Sequence, residues 1–263
     1  MVELRTPGGD RALISPEGAQ LLSWQAGGRE QLYWSALSPA TPGRAVRGGV
    51  PVCFPQFSDR GPLQKHGFVR VNRWDVVETT GDMVRLAFDP RLAPAAWPHP
   101  FALGLTVRLG EGWIEVGLEA TNTGTEDLRF TAALHTYLAV PDVRQARVEG
   151  LQGCDYEDAL DGLRVKREQA PAITFDGELD RVYRNVPASL ALQDGATRRI
   201  TQAGFVDTVV WNPGPAKAAA LGDMPPGDWL RMVCIEAAVA AAPVRLAPGR
   251  SWSGSQRIAL NPA

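Results

Sequence analysis

The sequence predicts an all-β fold, a sandwich of two large antiparallel sheets, and three observations carry that reading. Short extended segments recur along the chain, each bounded by Gly, Pro, Asn or Asp. No apolar period of 3.6 residues persists for three turns anywhere. A meander is legible at the centre: 102–109, a Gly-Glu-Gly turn, 113–121, an Asn-Thr-Gly turn, then Leu128–Val140.

The other elements follow in order. Residues 11–14 and 19–24 suit a first hairpin turning at Pro16–Gly18, with Leu32–Trp34 a short strand after it. Residues 38–67 form a long irregular region rich in proline and glycine, and loops of that length inside compact domains usually carry function. DVVET (75–79) and 83–88 resume the strands, and a Pro-rich connector over 89–100 has room for one helical turn. Shorter strands occupy 146–186, and four more are expected near 189–193, 206–212, 229–236 and 254–260. No linker or repeat divides the chain, so residues 1–263 are read as a single domain.

Composition narrows the function. An apolar fraction of 44% supplies a buried core, and a net charge of −2 argues against nucleic-acid or membrane-surface partners. Cys53, Cys154 and Cys234 are odd in number and widely spaced, so neither a disulfide framework nor a zinc motif is suggested. With three histidines in all, no metal site is expected. The N-terminus carries no signal pattern and no apolar run reaches membrane-spanning length, so a soluble, cytoplasmic protein is expected.

The chemistry centres on Leu128–Val140. Strand alternation puts Leu128, Phe130, Ala132, Leu134, Thr136 and Leu138 on one face and Arg129, Thr131, Ala133, His135 and Tyr137 on the other. The first is a core face; the second carries an imidazole able to exchange a proton near neutral pH. A histidine so placed is as readily a buried structural residue as a catalytic one. Glu236 ends the apolar stretch 229–236, where a lone carboxylate is costly unless bonded or used, or else it meets solvent at the strand end. Together they suggest an acid–base pair across a sugar-sized groove. Arg47, Lys65 and Arg70 flank the long loop, and Arg47 precedes Gly48–Gly49, a combination that suits an anion. On their own these basic residues are equally a solvated surface. His66 could bond a hydroxyl or cap a turn. Asp180 and Asp207 could hold sugar hydroxyls or bond neighbouring backbone. Trp211, Phe54, Phe57 and Tyr137 could form a platform for a pyranose, or simply core. No phosphate-binding glycine loop or serine-hydrolase motif is present.

Six ordered blocks, RGGVPVCFPQF, KHGFVRVNRW, LHTYLAVPDV, ELDRVY, VVWNPGPAK and MVCIEAA, resemble the D-hexose-6-phosphate mutarotases (glucose-6-phosphate 1-epimerases) of the aldose 1-epimerase superfamily. The resemblance runs from about residue 10 to the closing APGRSWSGSQ. It implies a galactose mutarotase-like β-supersandwich, no cofactor, and an enzyme that interconverts the α and β anomers of hexose 6-phosphates; a monomer is expected. It also implies that His135 is the general acid and Glu236 the general base. Arg47, Lys65 and Arg70 would hold the 6-phosphate, and His66 and Asp180 would contact the sugar. The family often carries tryptophan where this chain has Gln56 and Gly214. Two other readings stay open: an aldose 1-epimerase acting on free hexoses, and a non-catalytic sugar-phosphate binding protein on the same fold.

Overall fold

A computed structural model describes residues 1–260. Three antiparallel sheets of four, eight and nine strands make up the molecule. The two large ones are those expected; the third, Val2–Arg5, Arg11–Ser15, Gln20–Ala26 and Arg29–Glu30, contains the anticipated first hairpin. One short α-helix, Gly214–Ala220, is found among the described residues.

The central meander forms as the alternation requires. Phe101–Gly110 pairs with Trp113–Asn122 along its whole length, and buried residues alternate with exposed ones on both strands. The two intervening residues, Glu111 and Gly112, make the turn, with Gly112 at φ 70°. Ser251–Leu260 joins the other edge of Trp113–Asn122, and Thr197–Ala203 pairs with Ser251–Leu260 in turn. That Thr197–Ala203 strand was not anticipated, because the buried face of its TRRITQA sequence carries one apolar residue, Ile200, between Arg198 and Gln202. Leu32–Trp34 is not a strand: Leu32 and Trp34 make isolated bridges to Leu138 and Gly48.

The eight-stranded sheet positions the site. Its central strand, Met232–Leu246, lies between Asp207–Asn212 and Leu128–Leu134. Residues 229–231 belong instead to a 3-10 turn, and the strand runs on through the alanines and past Pro243. Its two faces differ. Ile235, Ala237 and Val239 pack into the main core between the large sheets, with Leu103, Leu105, Val116 and Leu118 of the nine-stranded sheet. Met232, Cys234, Ala238 and Ala240 belong to a second cluster on the opposite face, with Ala133, Tyr137, Val209 and Trp211. One sheet therefore seals a core on one side and floors a pocket on the other.

Asp207 belongs to the framework. Its Oδ2 accepts the backbone N–H groups of Ala240 and Ala241 at 2.9 and 2.8 Å, and its Oδ1 that of Asn185 at 3.3 Å. Replacing Asp207 by Ala leaves buried donors unpaired at about 1–3 kcal/mol each. We expect destabilisation by roughly 2 kcal/mol or more, read from urea unfolding.

Candidate active site

His135 and Glu236 meet because of strand register. The segment Leu128–Val140 is broken at His135–Thr136 into Leu128–Leu134 and Tyr137–Ala139, both paired with Met232–Leu246. Leu134 sits opposite Ala237 and Tyr137 opposite Cys234, so the register is unchanged across the break and His135 faces Glu236. The alternation read from sequence survives: His135 and Tyr137 share a face with Ala133. Main-chain bonds hold the break. His135 N–H donates to Pro51 O at 2.9 Å and Thr136 N–H to Leu134 O at 2.9 Å. The Thr136 hydroxyl donates to Gln256 Oε1, and Gln256 Nε2 donates to Ile235 O at 3.0 Å. Gln256 thus ties the neighbours of both residues to the nine-stranded sheet.

Glu236 is in mid-strand and 1% exposed, so the alternative of a strand-end carboxylate in solvent is overturned. Its Oε1 lies 3.3 Å from His135 Nδ1. Both groups line a cavity of about 550 Å3, within the range of small-molecule sites. His135 Nδ1 and Glu236 Oε2 are buried and have no hydrogen-bond partner.

Rings box the imidazole. Tyr137 stacks on it with centroids 4.7 Å apart and planes 7° from parallel, while Trp211 and His66 meet it edge-on at 6.0 and 5.3 Å. Of the proposed aromatic platform, Trp211, Phe57 and Tyr137 line the cavity. Phe54 does not; it packs against Phe101 and Phe130 in the core.

Burial at the pocket floor runs against charge on either partner. Burial, then His66, Arg70 and Arg47, hold His135 well below the ordinary histidine range. Burial, then the Asp180 carboxylate, pushes Glu236 well above the ordinary glutamate range. The pair is thus best supplied with one proton between two neutral groups. His66 is also neutral, pushed down to about 3 by burial and the cations around it. Its Nδ1 accepts the Ser58 N–H at 3.2 Å, which leaves the proton on Nε2.

The cavity wall gathers the remaining residues singled out from sequence: Arg47, Lys65, Arg70 and Asp180 all line it. Arg70, from the 3-10 turn Val69–Val71, donates through Nη2 to Lys65 O at 2.8 Å, and its Nε is buried without a partner. Arg47 is more committed. Its Nε donates to Asp223 Oδ1 at 2.6 Å and its Nη1 to the Tyr137 hydroxyl at 3.3 Å. Asp180 sits opposite Trp211 on the neighbouring strand, and burial raises its pKa.

Gly49 does not present its N–H to an anion. The Gly49 N–H donates to Tyr33 O at 2.7 Å, and a Cβ there would lie 2.1 Å from Leu21 O. Glycine is needed there because backbones approach closely.

Sequence reasoning missed Arg60, Lys217 and Asp223, which also line the cavity. Each comes from a loop or from the short helix, and no periodicity marks them. Gln56 and Gly214 act on the same walls. Gln56 Nε2 donates to Ser58 O and Leu63 O at 2.9 and 3.1 Å and its Oε1 accepts Leu63 N–H at 2.9 Å, closing the loop that carries Arg60. Gly214, at φ 61°, opens the helix bearing Lys217, and a Cβ there would come within 2.4 Å of Glu178 N. A tryptophan at 214 is incompatible with this backbone path.

Among the described residues, His135, Cys234 and Glu236 form one group of potential metal ligands, with donor atoms all within 4.8 Å of one another. Among the described residues no helix is long and apolar enough to cross a membrane.

The family model for aldose 1-epimerase matches residues 1–259. A protein of Cenchrus ciliaris bearing the name "Putative glucose-6-phosphate 1-epimerase" is 36% identical over 261 residues, covering 93% of this chain and 79% of that protein. One of Escherichia coli (strain K12) with the same name is 35% identical over 242 residues, covering 88% of this chain and 80% of its own length. The crystal structure of a "putative mutarotase" from Salmonella typhimurium superposes with a TM-score of 0.86 at 30% identity, covering 95% of this chain and 87% of that one.

Proposed function

The chain belongs to the aldose 1-epimerase family, and from that premise we propose that it is a single-domain enzyme interconverting the α and β anomers of hexose 6-phosphates, glucose 6-phosphate first among them. The observation that carries the reading is the facing of His135 and Glu236, 3.3 Å apart, on the floor of a cavity that Arg70 and Lys65 also line. The names of the two relatives point to the same substrate.

The chemistry follows from what the reaction requires. In ring opening the C1–O5 bond breaks and the O1–H electrons become the C1=O1 bond. Glu236 takes the O1 proton and His135 supplies one to O5. Rotation about C1–C2 then presents the other face of the aldehyde, and closure returns both protons. O1 and O5 are carried by the same carbon, so their partners must be close neighbours, as His135 and Glu236 are.

Ionised glutamate with imidazolium and neutral glutamic acid with imidazole hold the same number of protons. Burial, the largest cause acting on both groups, favours the second state. His66 and Asp180 would bond sugar hydroxyls, and Lys65, Arg70 and Arg47 would receive the phosphate.

Two-dimensional exchange NMR on glucose 6-phosphate and on free glucose tests the reading. We expect anomer cross-peaks to build up faster with enzyme for the phosphate ester. Equal acceleration of free glucose would make the protein an unselective aldose 1-epimerase, and binding without acceleration would make it a binding protein.

A further inference from the structure

We infer that His135, Cys234 and Glu236 form a binding site for a single zinc-type divalent ion, one that blocks the pocket floor when filled. Spacing along the sequence conceals the site, since one donor lies about a hundred residues from the other two. Register reveals it: Glu236 stands across from His135, and Cys234 is two residues away on the same face of the same strand.

The donor set is specific. An imidazole nitrogen, a thiol sulfur and a carboxylate oxygen lie within 4.8 Å of one another. Imidazole and thiolate together suit zinc and its neighbours, whereas magnesium and calcium require shells of oxygen. A second observation points to a ligand here. His135 Nδ1 and Glu236 Oε2 are buried polar atoms without a partner, and both residues face the cavity through which an ion would enter. Three protein ligands leave the fourth tetrahedral position to a water or sugar oxygen.

Metal binding at this site does not depend on the proposed reaction. Inhibition does rest on that reading, because the ion would occupy both proton-transferring groups. The two parts are therefore measured separately.

Chelator-treated, reduced protein is titrated with Co2+. One equivalent should produce a thiolate-to-cobalt charge-transfer band in the near ultraviolet, and Zn2+ should abolish it. Cys234→Ser should lose the band and Cys53→Ser keep it. Zinc affinity, from competition with a chromophoric chelator, should fall by more than the roughly 10–100-fold that loss of an outer partner costs. Absence of the band from the wild-type protein overturns the site, however the variants fold. So does a band that survives in Cys234→Ser or vanishes in Cys53→Ser. With the site present, micromolar Zn2+ should suppress anomer exchange in the wild type, reversibly on adding chelator and less in Cys234→Ser. Unaltered exchange with zinc demonstrably bound would count against the catalytic roles of His135 and Glu236, while leaving the metal site standing.

Discussion

Glu236→Gln and His135→Ala each reduce catalysed anomer exchange of glucose 6-phosphate by roughly 10²–10⁴-fold, the contribution of one positioned proton-transfer group. Glutamine keeps the shape of Glu236 and removes only its ability to take the O1 proton. The variant also removes an acid whose buried charge is disfavoured, so we expect no loss of thermal stability. His135→Ala should fold as well, because the strand break is held by Pro51 O, by Thr136 and by Gln256 rather than by the imidazole. The double variant should be little worse than either single one, as for groups that act as a unit. Exchange NMR beside a thermal melt checks both claims. Near-normal exchange in a folded single variant removes that residue from its role.

Much of this arrangement was legible in the sequence. Alternation in LRFTAALHTYLAV separated the core face from the pocket face, because strand geometry fixes side-chain direction with a period of two. The break at His135–Thr136 was not legible. It arises from Thr136 turning into the space between the sheets to bond Gln256, which lies 120 residues on. The isolated carboxylate of Glu236 also stands out against its apolar neighbours, but nothing in the sequence marks that the strand continues beyond it. The following alanines are narrow residues that let Met232–Leu246 continue between two neighbours, with Ala237 and Ala238 wholly buried. Asp207 shows the opposite outcome. By sequence it suits a sugar as well as Asp180 does, but in the fold backbone N–H groups already occupy its oxygens. Loop residues such as Asp223 and Lys217 carry no periodic signal, so their convergence on the cavity could come only from the fold.

Arg70→Ala raises the KM for glucose 6-phosphate by roughly 10–100-fold and leaves free glucose unaffected. The magnitude follows from one charge-assisted hydrogen bond worth about 1.5–3 kcal/mol, with about 1.4 kcal/mol per factor of ten. Arg70 is the cation best prepared for this task. Its Nη2 is anchored on Lys65 O, which fixes the guanidinium plane, and its buried Nε has no acceptor. A phosphate oxygen would satisfy that donor while its charge meets that of Lys65. Arg47 should behave differently, because Asp223 and Tyr137 already engage its Nε and Nη1. Losing Arg47 frees the ring stacked on His135, so Arg47→Ala should lower kcat for both sugars as well as raising the KM of the phosphate ester. Arg70→Lys separates charge from geometry: a point charge restores part of the affinity, and the oriented donor restores the rest only when arginine is present. Steady-state exchange rates on the two sugars provide the comparison. An equal loss for glucose and its phosphate in Arg70→Ala would mean that this wall of the pocket does not read the 6-position.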